Sequence, residues 1–152
     1  MKHLLLLPTF DQFELISGEI ITFNTFTING YRQKEFFHTG EDASLSTNVE
    51  QDYSNWSELK TYCLELIKGK RSPLGFKFIL RLNPQNTLEL AESIEEADQI
   101  DSFPSLLLNI RFDGNHISCV SGTNHEHFTM DKTWEQAWDK KIGLFLEELE
   151  DQ

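Results

Sequence analysis

Little in this sequence could staple, stiffen or interrupt a chain. Its two cysteines, Cys63 and Cys119, are too few for the disulfide framework of a small secreted domain. Four prolines and eight glycines exclude collagen-like and low-complexity architectures. Long apolar runs are missing as well. Leu4-Leu5-Leu6-Leu7 stops at Pro8 and is followed by Asp11, whereas a signal core needs ~7–15 apolar residues and a membrane span ~20. Neither a signal peptide nor a membrane helix is read here. Positive charge is scarce: 13 Lys and Arg face 25 Asp and Glu, a formal charge of −12. A duplex-binding protein carries a basic footprint, so direct nucleic-acid binding is not expected.

The acidity is uneven. Residues 1–85 carry a net charge of −1 and residues 86–152 a net of −11. Such a half either keeps the protein soluble or meets a basic partner, for example by imitating nucleic-acid phosphates. A chain of 152 residues suits one domain, 1–152, and can bury a core without disulfides or metal. Twelve phenylalanines imply an aromatic core or a sticky face. Both cysteines fall on apolar faces of expected elements and read as small core hydrophobes, which fits a reducing, cytoplasmic setting.

Residues 13–23 read as a strand kinked at Gly18, and 24–28 alternate apolar and polar. Asn29-Gly30 is the strongest hairpin signal, with 31–37 as the returning strand. Residues 38–55 are polar and suggest a long mobile loop. Asn55 with Glu58 opens a helix carrying Leu59, Cys63, Leu66 and Ile67 on one face, closed by Gly69. Residues 76–82 form a strand stopped at Asn83-Pro84. Asn86 with Glu89 opens a surface helix to about Ala97, with Leu88, Ala91 and Ile94 as its apolar stripe. Residues 106–112 and 117–120 flank a second hairpin turn, Asp113-Gly114. A further turn is expected at 121–124, with a third strand at 125–130. Trp134, Trp138, Ile142, Phe145 and Leu149 mark a long amphipathic C-terminal helix. The sum is an α+β fold: a mainly antiparallel sheet of five to six strands with two to three helices.

The only concentrated positive patch is Lys68, Lys70 and Arg71. It follows a helix, where cations favour the negative dipole end, rather than preceding one as a phosphate cradle does. It is read either as that charge cap or as a binding loop. No Gly-rich nucleotide motif is present. His116, His125 and His127 could share one face of a hairpin over 115–130, yet His-x-His on a strand also arises by chance, and no metal is assigned. Neither cysteine has a nucleophile's local pattern, and Ser121-Gly122-Thr123 is not a G-x-S-x-G elbow. The Trp stripe is core packing or, alternatively, a docking or homodimer seam.

Five segments stand out together: Phe10-Asp11-Gln12-Phe13, Thr22-Phe23-Asn24-Thr25-Phe26-Thr27-Ile28-Asn29-Gly30, Leu66-Ile67-Lys68-Gly69-Lys70-Arg71, Leu108-Asn109-Ile110-Arg111-Phe112 and Phe128-Thr129-Met130-Asp131-Lys132. In combination they resemble an uncharacterised family of small proteins from clostridia-like Gram-positive bacteria, a domain-of-unknown-function family. The chain starts later than the family pattern, and Asn29 stands where Asp is usual. The resemblance implies a bacterial, cytoplasmic, stand-alone domain and brings no catalytic residues. The sequence thus points to a non-enzymatic protein-interaction domain without a cofactor. Its candidate binding residues are Lys68, Lys70, Arg71 and the polar-face residues Asn109 and Arg111. Its partner is another protein or a second copy, not a membrane. The alternatives are a small-ligand site or enzyme under the 38–55 loop, and an acidic decoy of a basic nucleic-acid-binding protein.

Overall fold

A computed structural model describes residues 1–37, 51–94, 103–125 and 132–150. Five strands form one antiparallel sheet in the order β2-β1-β3-β4-β5. They are β1 (Phe13–Ile21), β2 (Thr25–Asn29), β3 (Gly75–Leu82), β4 (Ser105–Phe112) and β5 (Ile117–Asn124). Three helices accompany them: α3 (Trp56–Ile67), α4 (Pro84–Glu92) and α5 (Thr133–Glu150). Two four-residue helices, α1 (Lys2–Leu5) and α2 (Lys34–Phe37), and a single 3-10 turn at Pro8–Phe10 complete the described set. The expected α+β class is the observed one.

Alternation decides which side is covered. In β3, Phe76, Phe78, Leu80 and Leu82 point one way, and the pairs Phe78↔Ile110 and Leu80↔Leu108 put the apolar row of β4 beside them. α3 lays Trp56 on Phe78, with ring centroids 4.9 Å apart, and α5 brings Trp138 to 6.3 Å from Phe13. Phe145 of α5 meets Phe10 edge-on at 5.4 Å. A buried indole N–H usually finds an acceptor, and two of the three here do. Trp56 Nε1 donates to the Leu4 carbonyl and Trp138 Nε1 to the Leu107 carbonyl, each at 2.8 Å. The first bond ties α1 to α3, and the second ties α5 to the sheet. Trp134, Trp138 and Ile142 of the C-terminal stripe are all buried in the core of the single chain.

Several local expectations are corrected. Asn29-Gly30 does not turn a hairpin: the β1–β2 connection is at residues 22–24, where Thr22 N–H donates to the Asn24 carbonyl at 2.9 Å. Asn29 Oδ1 instead accepts the Tyr31 N–H at 3.0 Å, and residues after Tyr31 enter α2 rather than a strand. Gly69 is not a left-handed cap; α3 ends through Lys68 in an extended conformation. α4 starts three residues earlier than expected. Asn83 Oδ1 accepts the Asn86 N–H at 2.8 Å, and Pro84 occupies the first turn, where its missing N–H costs nothing. Leu88 is consequently exposed and Leu90 takes its place in the core. Ser121-Gly122-Thr123 is strand, because pairing with β4 as far as Ser105↔Asn124 overrides the local turn preference. The expected strand at 125–130 lies, beyond His125, outside the described residues. Asp113-Gly114 does turn as expected, with Gly114 at φ +100° and the Asp113 carboxylate accepting the Asn115 and His116 N–H groups at 2.8 Å. Those bonds, His116 first, hold its carboxyl below the usual aspartate range.

Gly30 serves close approach. A Cβ there would lie 1.7 Å from the Leu15 carbonyl oxygen, and the Gly30 N–H donates to the Ile16 carbonyl at 3.0 Å. Gly30→Ala is expected to lower unfolding stability by about 4 kcal/mol or more, since backbone itself must move. Urea denaturation checks this; a loss near the ~1 kcal/mol of an ordinary substitution would contradict it.

Candidate functional site

The three predicted cations line one groove. α3 ends at buried Ile67, and the chain is buried again at Pro73, so residues 68–72 stand out between two anchors, all five exposed. Across from them is the β1–β2 turn. Thr22, Phe23, Leu66, Ile67, Leu74 and the 68–72 segment enclose about 550 Å³. The Leu74 N–H bonds the Ile21 carbonyl at 2.8 Å, which fixes the two walls relative to each other. Phe23 is 87% exposed and Leu74 68%, large apolar side chains left in water at the groove's mouth. Lys68 is shared with Glu65, 2.7 Å away, whereas Lys70 and Arg71 make no ion pair among the described residues. No carboxylate, histidine or thiol is among the lining residues. The groove therefore offers cations over an apolar floor. Position at the C-terminal end of α3 also suits these charges, as the dipole argument requires.

Asn109 and Arg111 lie elsewhere. Leu108 and Ile110 face the helices, so Asn109 and Arg111 project from the opposite sheet face, away from α3. Arg111 is opposite Lys77 on β3 and Ser118 on β5, with Glu19 beyond Lys77; Asn109 is opposite Ile79 and Val120. The five candidate residues thus form two patches on two sides of the sheet. The histidines do not gather either. His116 and His125 flank opposite ends of the eight-residue β5, roughly 30 Å apart for an extended strand, and His127 is outside the described residues. No group of three metal-ligating side chains occurs among the described residues.

One cluster escaped the sequence reading. Glu14 has no exposed surface, and its Oε1 accepts from Arg81 Nη2 at 2.8 Å and Nε at 3.2 Å. Its Oε2 accepts from Gln51 at 2.7 Å. The Arg81 guanidinium lies 4.8 Å from the centre of the Tyr53 ring, and Tyr53 meets Tyr31 edge-on. Leu15 N–H donates to the Ser54 carbonyl, and Ser54 N–H to the Gly30 carbonyl, both at 2.9 Å. Residues 51–55 of the polar stretch 38–55 are therefore bound to the sheet; residues 38–50 lie outside the described residues. Nearby, Arg32 grips both oxygens of Glu58 at 2.6–2.7 Å, and Glu58 accepts the Asn55 N–H at 3.1 Å to start α3. Each of the two central strands carries two charges, Glu14 and Glu19 on β1 and Lys77 and Arg81 on β3, and nothing local marks Glu14 and Arg81 as the buried pair.

Comparison with protein families matches residues 3–151 to a family of unknown function, DUF5721. The chain belongs to DUF5721. Comparisons with curated proteins and with solved structures found no match. In this DUF5721 chain no helix among the described residues is long and apolar enough to cross a membrane.

Cysteine chemistry is suppressed by packing. Burial without a stabilising cation pushes the Cys63 thiol up to about 12, and burial raises Cys119 as well. An unfolded Cys63 would ionise near the ordinary thiol value of 9.0, so unfolding releases a proton between that pH and about 12. Cys63 stabilises the fold fully below pH 9.0, and that contribution falls by about 1.4 kcal/mol per pH unit above it. Denaturation midpoints between pH 9 and 11 should fall more steeply for the wild type than for Cys63→Ala; equal slopes would contradict the burial argument.

Glu14→Ala leaves Arg81, itself only 21% exposed, without its counter-charge. The expected loss is about 3–5 kcal/mol, whereas Glu14→Leu combined with Arg81→Met should recover most of it. Thermal or urea unfolding of the set decides. Equal losses in the single and double variants would show that the ion pair is not what the segment depends on.

Proposed function

We propose that this chain is a non-enzymatic interaction domain that seats an acidic segment of a partner protein, bearing an aromatic or aliphatic side chain, in the groove beneath Lys68, Lys70 and Arg71. The observation that carries the reading is local reversal of sign. A chain of net charge −12 presents three exposed cations together, above an apolar cavity and two exposed apolar side chains. Cations over apolar surface suit a ligand that is both negative and apolar; the charges steer the encounter and the buried side chain holds it. The lining holds no carboxylate, histidine or thiol to activate the Thr22 or Ser72 hydroxyl, which favours binding over turnover. Two free cysteines, one of them fully buried, suit a reducing, cytoplasmic setting.

Fluorescence anisotropy with labelled peptides, in which Asp and Glu flank a single Phe or Leu, tests the reading. Wild-type protein is expected to bind them and to lose affinity with added salt. Replacing Lys68, Lys70 and Arg71 with Ser should weaken binding by about tenfold or more, and Phe23→Ser by a similar factor, with folding unchanged. Equal affinity of the triple variant and the wild type would overturn the assignment.

A further inference from the structure

Among the described residues, one edge of the sheet is left unpaired. β5 is eight residues long and borders the sheet, pairing only with β4 among the described residues. Natural edge strands are blunted by charge, proline, bulges or shortness. β5 uses none of these. Residues 114–125, from Gly114 to His125, contain no Asp, Glu, Lys, Arg or Pro, although they lie within the half of the chain that carries a net charge of −11. The other edge, β2, is also uncharged but only five residues long.

We propose that β5 is a self-association edge, pairing antiparallel with β5 of a second copy to give a two-fold dimer with one continuous ten-stranded sheet. Three observations select a second copy as the occupant. Two chains of charge −12 repel each other, and a charge-free strip is where they can approach. An antiparallel strand pair is self-complementary, so one patch serves both subunits, as two-fold closure requires. The register then follows from the ladder. Asp113 N–H bonds the His116 carbonyl at 3.2 Å, which makes 113↔116 a hydrogen-bonded position. Counting in twos, Arg111↔Ser118, Asn109↔Val120 and Leu107↔Gly122 are hydrogen-bonded pairs as well. The N–H and C=O groups of Ile117, Cys119, Ser121 and Thr123 accordingly point outward. Centring the two-fold on Val120 pairs Cys119 with Ser121 of the second copy and Ile117 with its Thr123. All eight outward groups of each strand are then satisfied. Side chains that meet stay on the same sheet face. Val120, 61% exposed in the single chain, then packs on its own counterpart at a non-hydrogen-bonded position, where side chains are closest. The edge is also held in place beforehand: the Ser121 hydroxyl donates to Asp139 of α5 on the covered face.

Sedimentation of the full chain tests this independently of the groove. The wild type is expected at twice its 17.7 kDa mass, with the dimer favoured by added salt because screening relieves repulsion, opposite in sign to the peptide binding above. Val120→Lys, at a site exposed in the single chain, should sediment as a monomer with unchanged circular dichroism. In a Cys119→Ser background, Val120→Cys should form an intermolecular disulfide when oxidised glutathione is added, since non-hydrogen-bonded partners sit within disulfide reach. A wild type that remains at single-chain mass at high concentration overturns the proposal. So does a dimer that Val120→Lys leaves intact, or a dimer in which Val120→Cys fails to cross-link.

Discussion

A buried carboxylate, Glu14, anchors residues 51–55 to the sheet together with the backbone bonds of Asp52 and Ser54. β1 has two partners along one edge: β2 covers Ser17–Ile21, and beyond the irregularity between Leu15 and Ser17 the edge is taken over by residues 54 and 55. Something must pull that second segment in. Glu14, fully buried, does so through Gln51 on one oxygen and Arg81 on the other. A charge in that position is unfavourable alone and tolerable here because both oxygens are engaged, so the segment and the carboxylate depend on each other. The start of α3, with Arg32 and Glu58 locked together, follows immediately in the chain.

That clasp also sets the geometry of the opposite end. Once α3 is started at Asn55 and seated by Trp56 on Phe78, its length carries Ile67 to the far end of the sheet. The chain must then return to Gly75, and it does so in an exposed loop pinned at Pro73. The groove is the gap left between that return and the β1–β2 turn. Its cations are there because a helix C-terminus accepts them; their exposure and their apolar neighbours are what make them available to a ligand.

The sheet shows two different solutions to one problem. Its helix-covered face is closed by aromatic packing, and its other face is crossed by a polar row running Glu19, Lys77, Arg111, Ser118. The edges follow different rules, because there the backbone rather than the side chains remains to be satisfied. A neutral, eight-residue β5 in so acidic a half contrasts with the charged row beside it.

Periodicity alone determined the class of this fold. The alternation of β3 and β4, the Asn55–Glu58 cap, the Asp113-Gly114 turn and the Trp stripe of α5 all express local rules that the rest of the structure leaves standing. Two failures share a cause. Asn29-Gly30 and Ser121-Gly122-Thr123 are turn-forming residues in isolation, yet close backbone approach at the first and cross-strand pairing at the second outweigh preferences of about 1 kcal/mol or less. The cations of the groove could be named from the sequence, but not their neighbour Phe23, some 45 positions earlier in the chain. Asn109 and Arg111 could be named too, but not their separation from the groove by the thickness of the sheet. Glu14 and Arg81 are 67 residues apart. Only strand order brings them together, because a contact between distant segments is decided by the whole chain's packing and leaves no local pattern to read.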